Sequence, residues 1–265
     1  MVRGWYIGAS GMNVQQNRLD TIANNLANVD TAGYKKDVTS IKSFSELLLR
    51  RKDFDGVYEN PFGSADAAPI IGKIGLGAET NENFIDFSEG SLKLTNTSTD
   101  FALHGKGFFL IQTPQGERYT RNGNFIIGKE GILETKDGYP VLGENGIITL
   151  EDDKFKVNED GMIVTKDNEV IDRFRCVRFD NERYLKKAGN SFYCETDISG
   201  PAHIAEGKER PQFIQNYMET SNVNVVNEMV RMIEVNRAYE ANQKTIQSSD
   251  SMMNTLWNRV ASVQR

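Results

Sequence analysis

The chain has 265 residues, enough for one large or two modest domains. Its net charge of −6, with no basic stripe interleaved with aromatics, argues against nucleic-acid binding. A hydrophobic content of 38%, low for a compact globule, fits a protein that buries part of its surface only against partners.

The first element is a helix with a seam. Met1, Trp5, Gly8, Met12, Gln15, Leu19, Ile22, Leu26 and Val29 recur every third and fourth residue, and the helix stops at Asp30-Thr31-Ala32-Gly33, where a glycine takes the left-handed conformation cheaply. Asn13, Gln15, Gln16, Asn17, Arg18 and Asp20 break up the apolar residues, so this is neither a cleaved signal nor a span, and it lacks the lysines of a membrane-surface anchor. No stretch approaches the length of apolar sequence that a bilayer span needs.

Residues 36–83 read as a connector, partly extended. Phe44 and Leu47-Leu48-Leu49 suggest a short helix running into Arg50-Arg51-Lys52, before a stretch rich in Gly, Pro and Ala from Asn60-Pro61-Phe62-Gly63 to Gly77. Beyond Phe84 the period changes to two. Phe108 to Gln112 is a buried strand run, Pro114-Gln115-Gly116 a turn, Asn122-Gly123 a hairpin signal, and Lys136-Asp137-Gly138 a further turn. Phe125, Gly131, Ile132, Thr135, Lys136 and Asp137 recur thirty residues later as Phe155, Gly161, Met162, Thr165, Lys166 and Asp167. Two similar β units packed together within an all-β barrel or sandwich-like domain are expected over 84–220.

The last element carries the longer seam. Val225, Glu228, Met232, Val235, Tyr239, Asn242, Ile246, Ser249, Met253, Leu256, Val260 and Val263 alternate 3-4-3-4 without a Pro or Gly between them. Asn224 caps the first turn, and Glu228 complements the helix dipole there. Two seams at opposite ends of the chain are most simply buried by pairing, with further partners from neighbouring chains. Terminal helices without a core of their own are expected to order on assembly.

Catalytic and cofactor patterns are absent. Gly105-Lys106-Gly107 lacks the Lys-Ser/Thr of a phosphate loop, the calcium-like stretch around Asn158, Asp160 and Gly161 has Lys156 at its first ligand position, and His104 and His203 sit in no nucleophile pattern. Cys176 and Cys194 have neither CxxC nor zinc-ligand spacing, and one bridge or two buried thiols are both open. No enzyme, cofactor or metal is expected.

Three separated motifs carry a resemblance. Asn24-Asn25-Leu26-Ala27-Asn28 with Gly33-Tyr34-Lys35 looks like the N-terminal signature of bacterial flagellar rod and hook proteins. Gly105-Lys106-Gly107-Phe108-Phe109 with Tyr119-Thr120-Arg121-Asn122-Gly123 resembles the central motif of the rod members. Ser221-Asn222-Val223 and Glu228-Met229-Val230 through Arg237-Ala238-Tyr239-Glu240-Ala241-Asn242 resembles their C-terminal signature. Asp30 and Tyr34 stand where the family more often has Asn and Phe.

The resemblance implies an α+β protein. Its N-terminal helix (1–35) and C-terminal helix (221–265) are heptad helices forming a coiled-coil domain, with a central all-β domain outside it. It implies type III export without a cleaved signal peptide, location in the periplasmic rod of the basal body, and partners among copies of itself, other rod and hook proteins and the export apparatus. Met12, Leu19, Ile22, Asn24, Asn25, Leu26 and Asn28 would pack at the N-terminal side. Met232, Val235, Tyr239, Asn242, Ile246, Met253 and Leu256 would face them or neighbouring subunits. The function implied is mechanical: a structural rod subunit that transmits torque, with a lean to the proximal rod over the distal one. An exported glycan-binding or glycan-cleaving β protein is the alternative from another class.

Overall fold

A computed structural model describes residues 2–44, 46–50, 58–60, 63–65, 70–150, 155–165, 169–189, 191–205, 207 and 210–262. Met1, Arg51, Lys52, Pro61, Phe62, Lys166, Asp167 and Val263, all used in the sequence reading, lie outside the described residues. Helix α1 (Val2–Ala27) is followed by β1 (Asp37–Ser43), β2 (Glu46–Arg50), β3 (Tyr58–Asn60), β4 (Gly63–Ala65), β5 (Ile70–Gly75) and β6 (Ala78–Ile85). Then come β7 (Leu92–Leu94), β8 (Phe101–His104), β9 (Phe108–Thr113), β10 (Gly116–Thr120), β11 (Phe125–Ile127) and β12 (Leu133–Thr135). The β region closes with β13 (Phe155–Val157), β14 (Met162–Thr165), β15 (Val170–Arg173), β16 (Cys176–Arg178), β17 (Lys186–Lys187), β18 (Phe192–Cys194), β19 (His203–Ile204), β20 (Gln212–Gln215) and β21 (Tyr217–Glu219). Helix α2 (Val225–Ser262) ends the chain. The architecture is thus α+β, with a helix towards each end and β structure between them.

Two compact units divide the chain, one from Met1–Thr21, Thr39–Asn83 and Val230–Arg265, the other from Ile22–Val38 and Phe84–Met229. In the first, β1 pairs with β6 and β2 with β5. Residues Leu47, Leu48 and Leu49 do not form the expected helix: they pair with Ile74, Lys73 and Gly72 in an antiparallel ribbon. So short a run cannot repay helix nucleation alone, whereas as a strand its alternate residues exchange backbone hydrogen bonds with β5. Helix α1 approaches the ribbons through polar groups, with Asn17 Nδ2 donating to Thr80 Oγ1 at 3.1 Å and the Thr21 and Thr39 hydroxyls 2.9 Å apart.

In the second unit, β17-β18-β10-β9-β16-β19 form an antiparallel six-stranded sheet. It is buried on both faces, which is why β9 reads as an unbroken apolar run. Phe109 and Ile111 join Cys176 and Phe192 in one cluster; Phe108 and Leu110 join Val177, Tyr119 and Tyr193 in the other.

The internal echo is structural. Phe125 pairs with Thr135 across β11–β12, and Phe155 pairs with Thr165 across β13–β14. Gly131 and Gly161 turn the two hairpins with the same φ of 75°. Both phenylalanines pack on Phe101, at ring separations of 6.2 and 6.1 Å, so the twin units share one core.

Asn122-Gly123 does not make the expected hairpin, since β10 pairs with β9 and β18, and β11 pairs with β12. Gly123 has no positive φ; it is glycine because a Cβ there would lie 1.8 Å from the Phe101 carbonyl oxygen. Cys176 and Cys194 are both free thiols.

Candidate assembly interface

The residues expected at an assembly surface fall into two groups. Along the helical seams, Ile22 and Val235 are buried; Met12, Leu19, Leu26, Met232, Tyr239, Asn242, Ile246 and Met253 are half-buried; Leu256 is exposed. Within the first unit the helices come close where α1 has no side chain. A Cβ on Gly8 would lie 2.9 Å from Ile246 Cγ1, and one on Gly11 would lie 2.9 Å from Asn242 Nδ2. On the outer side of α2, Val230 and Ile233 stay 50% and 53% exposed, an apolar stripe without cover in the single chain.

The asparagines of the N-terminal motif do different work. Asn25, buried, accepts from the Asp37 N–H and donates to the Asp37 carbonyl, each at 2.9 Å, and so clips the start of β1 to the last turn of α1. The Tyr34 hydroxyl donates to Asn24 and Asn25 Oδ1 at 3.1 and 3.2 Å. Asn28 Nδ2 donates to Asn24 Oδ1 at 3.0 Å. Asn24, Asn28, Asn122 and Asn124 also line an open cavity of about 540 Å³ in the second unit.

What sequence reading missed is a buried charge cluster in the same unit. Lys35, Arg121 and Glu219 are all at most 1% exposed. Lys35 Nζ donates to Glu219 Oε1 at 2.5 Å and to the Ser88 carbonyl at 2.7 Å. Arg121 donates to the Gly105 carbonyl at 2.8 Å, stands 3.8 Å from Glu219 Oε2 and stacks 5.4 Å from the Phe108 ring centre. Burial lowers the pKa of Lys35, and the Glu219 carboxylate beside it opposes that shift.

Around these charges the backbone is pinned. The Gly33 N–H donates to the Glu219 carbonyl at 2.9 Å, and the Lys36 N–H to Asn222 Oδ1 at 2.9 Å. Gly33 takes φ of 64°, and a Cβ on it would lie 2.5 Å from Asn122 N. Removing one member of such a buried set costs about 3–5 kcal/mol because its partners are left uncompensated. Sequence singled out Lys35 and Arg121 within motifs but not Glu219. Two buried cations demand an anion, yet one among 37 acidic residues cannot be chosen without the fold.

The three sequence stretches that meet here are also those matched by family models. Residues 6–35 match "Flagella basal body rod protein", 102–165 match "Flagellar hook protein FlgE/F/G D1 domain", and 214–259 match "Flagellar basal body rod FlgEFG protein C-terminal". A "Flagellar basal-body rod protein FlgG" of Buchnera aphidicola subsp. Baizongia pistaciae is 33% identical over 97% of this chain and 99% of its own length.

The chain belongs to the flagellar basal-body rod protein family.

Another rod protein of the same name, from Borreliella burgdorferi, is 35% identical over 96% of this chain and 97% of itself. The "Flagellar hook-basal body complex protein FlhO" of Bacillus subtilis is 31% identical over 99% of this chain and 100% of itself. The rod family is structural, its site is the flagellar basal body, and its members' partners are other rod and hook proteins. Among the described residues no helix is long and apolar enough to cross a membrane.

Proposed function

We propose that this structural subunit of the flagellar rod polymerises through its terminal helices into the axial shaft that carries motor torque. The observation that carries the proposal is the missing core of the first unit. Among its described large apolar side chains only Val14 and Val235 are buried, while Tyr6, Ile41, Phe44, Leu48, Ile233 and Trp257 stand out into solvent. A unit with so little interior is completed by neighbours, and a tube of subunits related by non-closing contacts supplies them.

In this reading 1–35 and 221–265 pack as a coiled-coil domain, 84–220 is the β domain and 36–83 the connector. Met12, Leu19, Ile22, Leu26, Met232, Val235, Tyr239, Asn242, Ile246, Met253 and Leu256 form the helical interface, with Asn24, Asn25 and Asn28 fixing the N-terminal side. Export of the unfolded chain through the flagellar type III apparatus, without a cleaved signal, and a periplasmic position follow from the resemblance of its N-terminal segment to rod proteins.

Electron microscopy of envelope-embedded motors from a strain lacking the protein tests the proposal. Rods missing or truncated, with no hook beyond, are expected, and the point of truncation separates the proximal section, to which the sequence leans, from the distal one. Intact rods and hooks would overturn it.

A further inference from the structure

The buried junction joins residues that are far apart in the chain. The span from Lys35 to Glu219 is 184 residues, and besides Asn24, Asn25 and Thr31 nearby in the chain, residues 33–37 bond Asp86, Ser88, Lys187, Glu219 and Asn222. The Gly33 N–H, the Tyr34 carbonyl, the Lys36 N–H and the Lys35 ammonium all turn to Glu219 or Asn222. The Lys36 carbonyl accepts from Asp86, and Lys187 Nζ reaches both the Lys35 carbonyl and Asp37 at 2.8 Å. Glu219 is itself held by pairing with Leu92 across β21 and β7.

Charge makes the order of these events one-sided. Arg121 belongs to the β domain, in the loop after β10, and stands 3.8 Å from Glu219 Oε2, on the same carboxylate that Lys35 uses. Without the Glu219 carboxylate, Lys35 would bring a second cation into a dry site that already holds one.

We infer that residues 24–38 are a latch that closes only once the Glu219–Asn222 segment is in place, so that the N-terminal motif, including the last turn of α1, stays unfixed until the far end of the β region has folded. Each of the three family-matched stretches contributes one part: the latch, the Gly105–Arg121 wall and the Glu219–Asn222 keeper. The asparagine clips at Asn24 and Asn25 depend on it, because Tyr34 and Asp37, their partners, are fixed by the latch. This inference is independent of the assembly reading, since every contact it uses lies within one chain.

The test is amide hydrogen exchange on the full-length monomer, comparing the natural chain with Lys35→Met and Glu219→Gln. Lys35→Met leaves the Arg121–Glu219 pair balanced, so the sheet keeps its charges while the latch loses its anchor. Exchange across 24–38 is expected to speed up by about a hundredfold in Lys35→Met, while β9 and β10 stay within about twofold of the natural chain. Glu219→Gln, although so distant in sequence, is expected to release the same amides at least as strongly. Unchanged protection of 24–38 in both variants would overturn the latch. So would a uniform rise in Lys35→Met across latch and sheet alike, because the junction would then be one part of a single cooperative core.

Discussion

At the scale of single residues, the second unit is governed by places where nothing larger than hydrogen fits and by buried charges that share partners. Gly123 lies where its missing Cβ would overlap the Phe101 carbonyl, so Gly123→Ala is expected to lower stability by about 1–3 kcal/mol, read from the urea midpoint at unchanged slope. Unchanged stability would mean that β8 and the loop after β10 can part freely. Cys176 is buried among phenylalanines, and burial pushes its thiol up from 9.0 to about 12. The fold therefore holds the thiol protonated while the unfolded chain ionises it. Its stabilisation is complete below the ordinary thiol value and is lost progressively as pH rises from 9.0 towards about 12. The urea midpoint should fall across that window. Iodoacetamide at mildly alkaline pH should label the partly exposed Cys194 well before Cys176, and equal labelling would contradict the buried assignment.

At the scale of elements, the same local sequence produces the same piece of structure twice, but the surroundings differ. Gly131 and Gly161 share their left-handed turn; a Cβ on the first would meet the Leu150 carbonyl at 2.5 Å, and one on the second the Phe213 ring at 2.6 Å. Alanine at either position is expected to cost about 1–2 kcal/mol from the backbone alone, with the contact added. Gly131→Ala should be the worse of the two, because backbone tied down by the Leu150 N–H on the Gly131 carbonyl yields less than a ring edge; thermal melts of the two variants compare them directly. Helix α2 starts where the sequence says it should: Asn224 Oδ1 accepts from the Asn227 N–H at 3.1 Å. Asn224→Ala should cost about 1 kcal/mol, seen as faster amide exchange confined to the first turn. Strand β2 is the counter-example. Three consecutive leucines fit a helix or a strand about equally well, and only the presence of β5 decided between them.

At the scale of the whole molecule, one unit has a core of its own, while the other buries only Val14 and Val235 among its described large apolar side chains. Leu26 is half-buried, so an aspartate there can still reach water in the monomer but not in a covered seam. Leu26→Asp should leave the melting of the β domain nearly intact and abolish polymer formation, since an unpaired charge sealed in an interface costs about 3 kcal/mol or more. Normal polymers from that variant, seen by electron microscopy, would count against the helical interface. The sequence by itself determined the two long helices, the Asn224 cap of the second, the paired hairpins and the membership of the rod family, although α1 ends at Ala27, short of the expected stop at Asp30-Thr31-Ala32-Gly33. Those features rest on periodicity, turn-forming glycines and short motifs, all written in neighbouring residues. The tertiary structure alone decided that Glu219 neutralises Lys35 and Arg121, that Asn122-Gly123 is a close crossing and not a hairpin, and that the two cysteines stay apart. Each of these depends on which distant segments come within a few ångströms of one another, and local pattern holds no record of that distance.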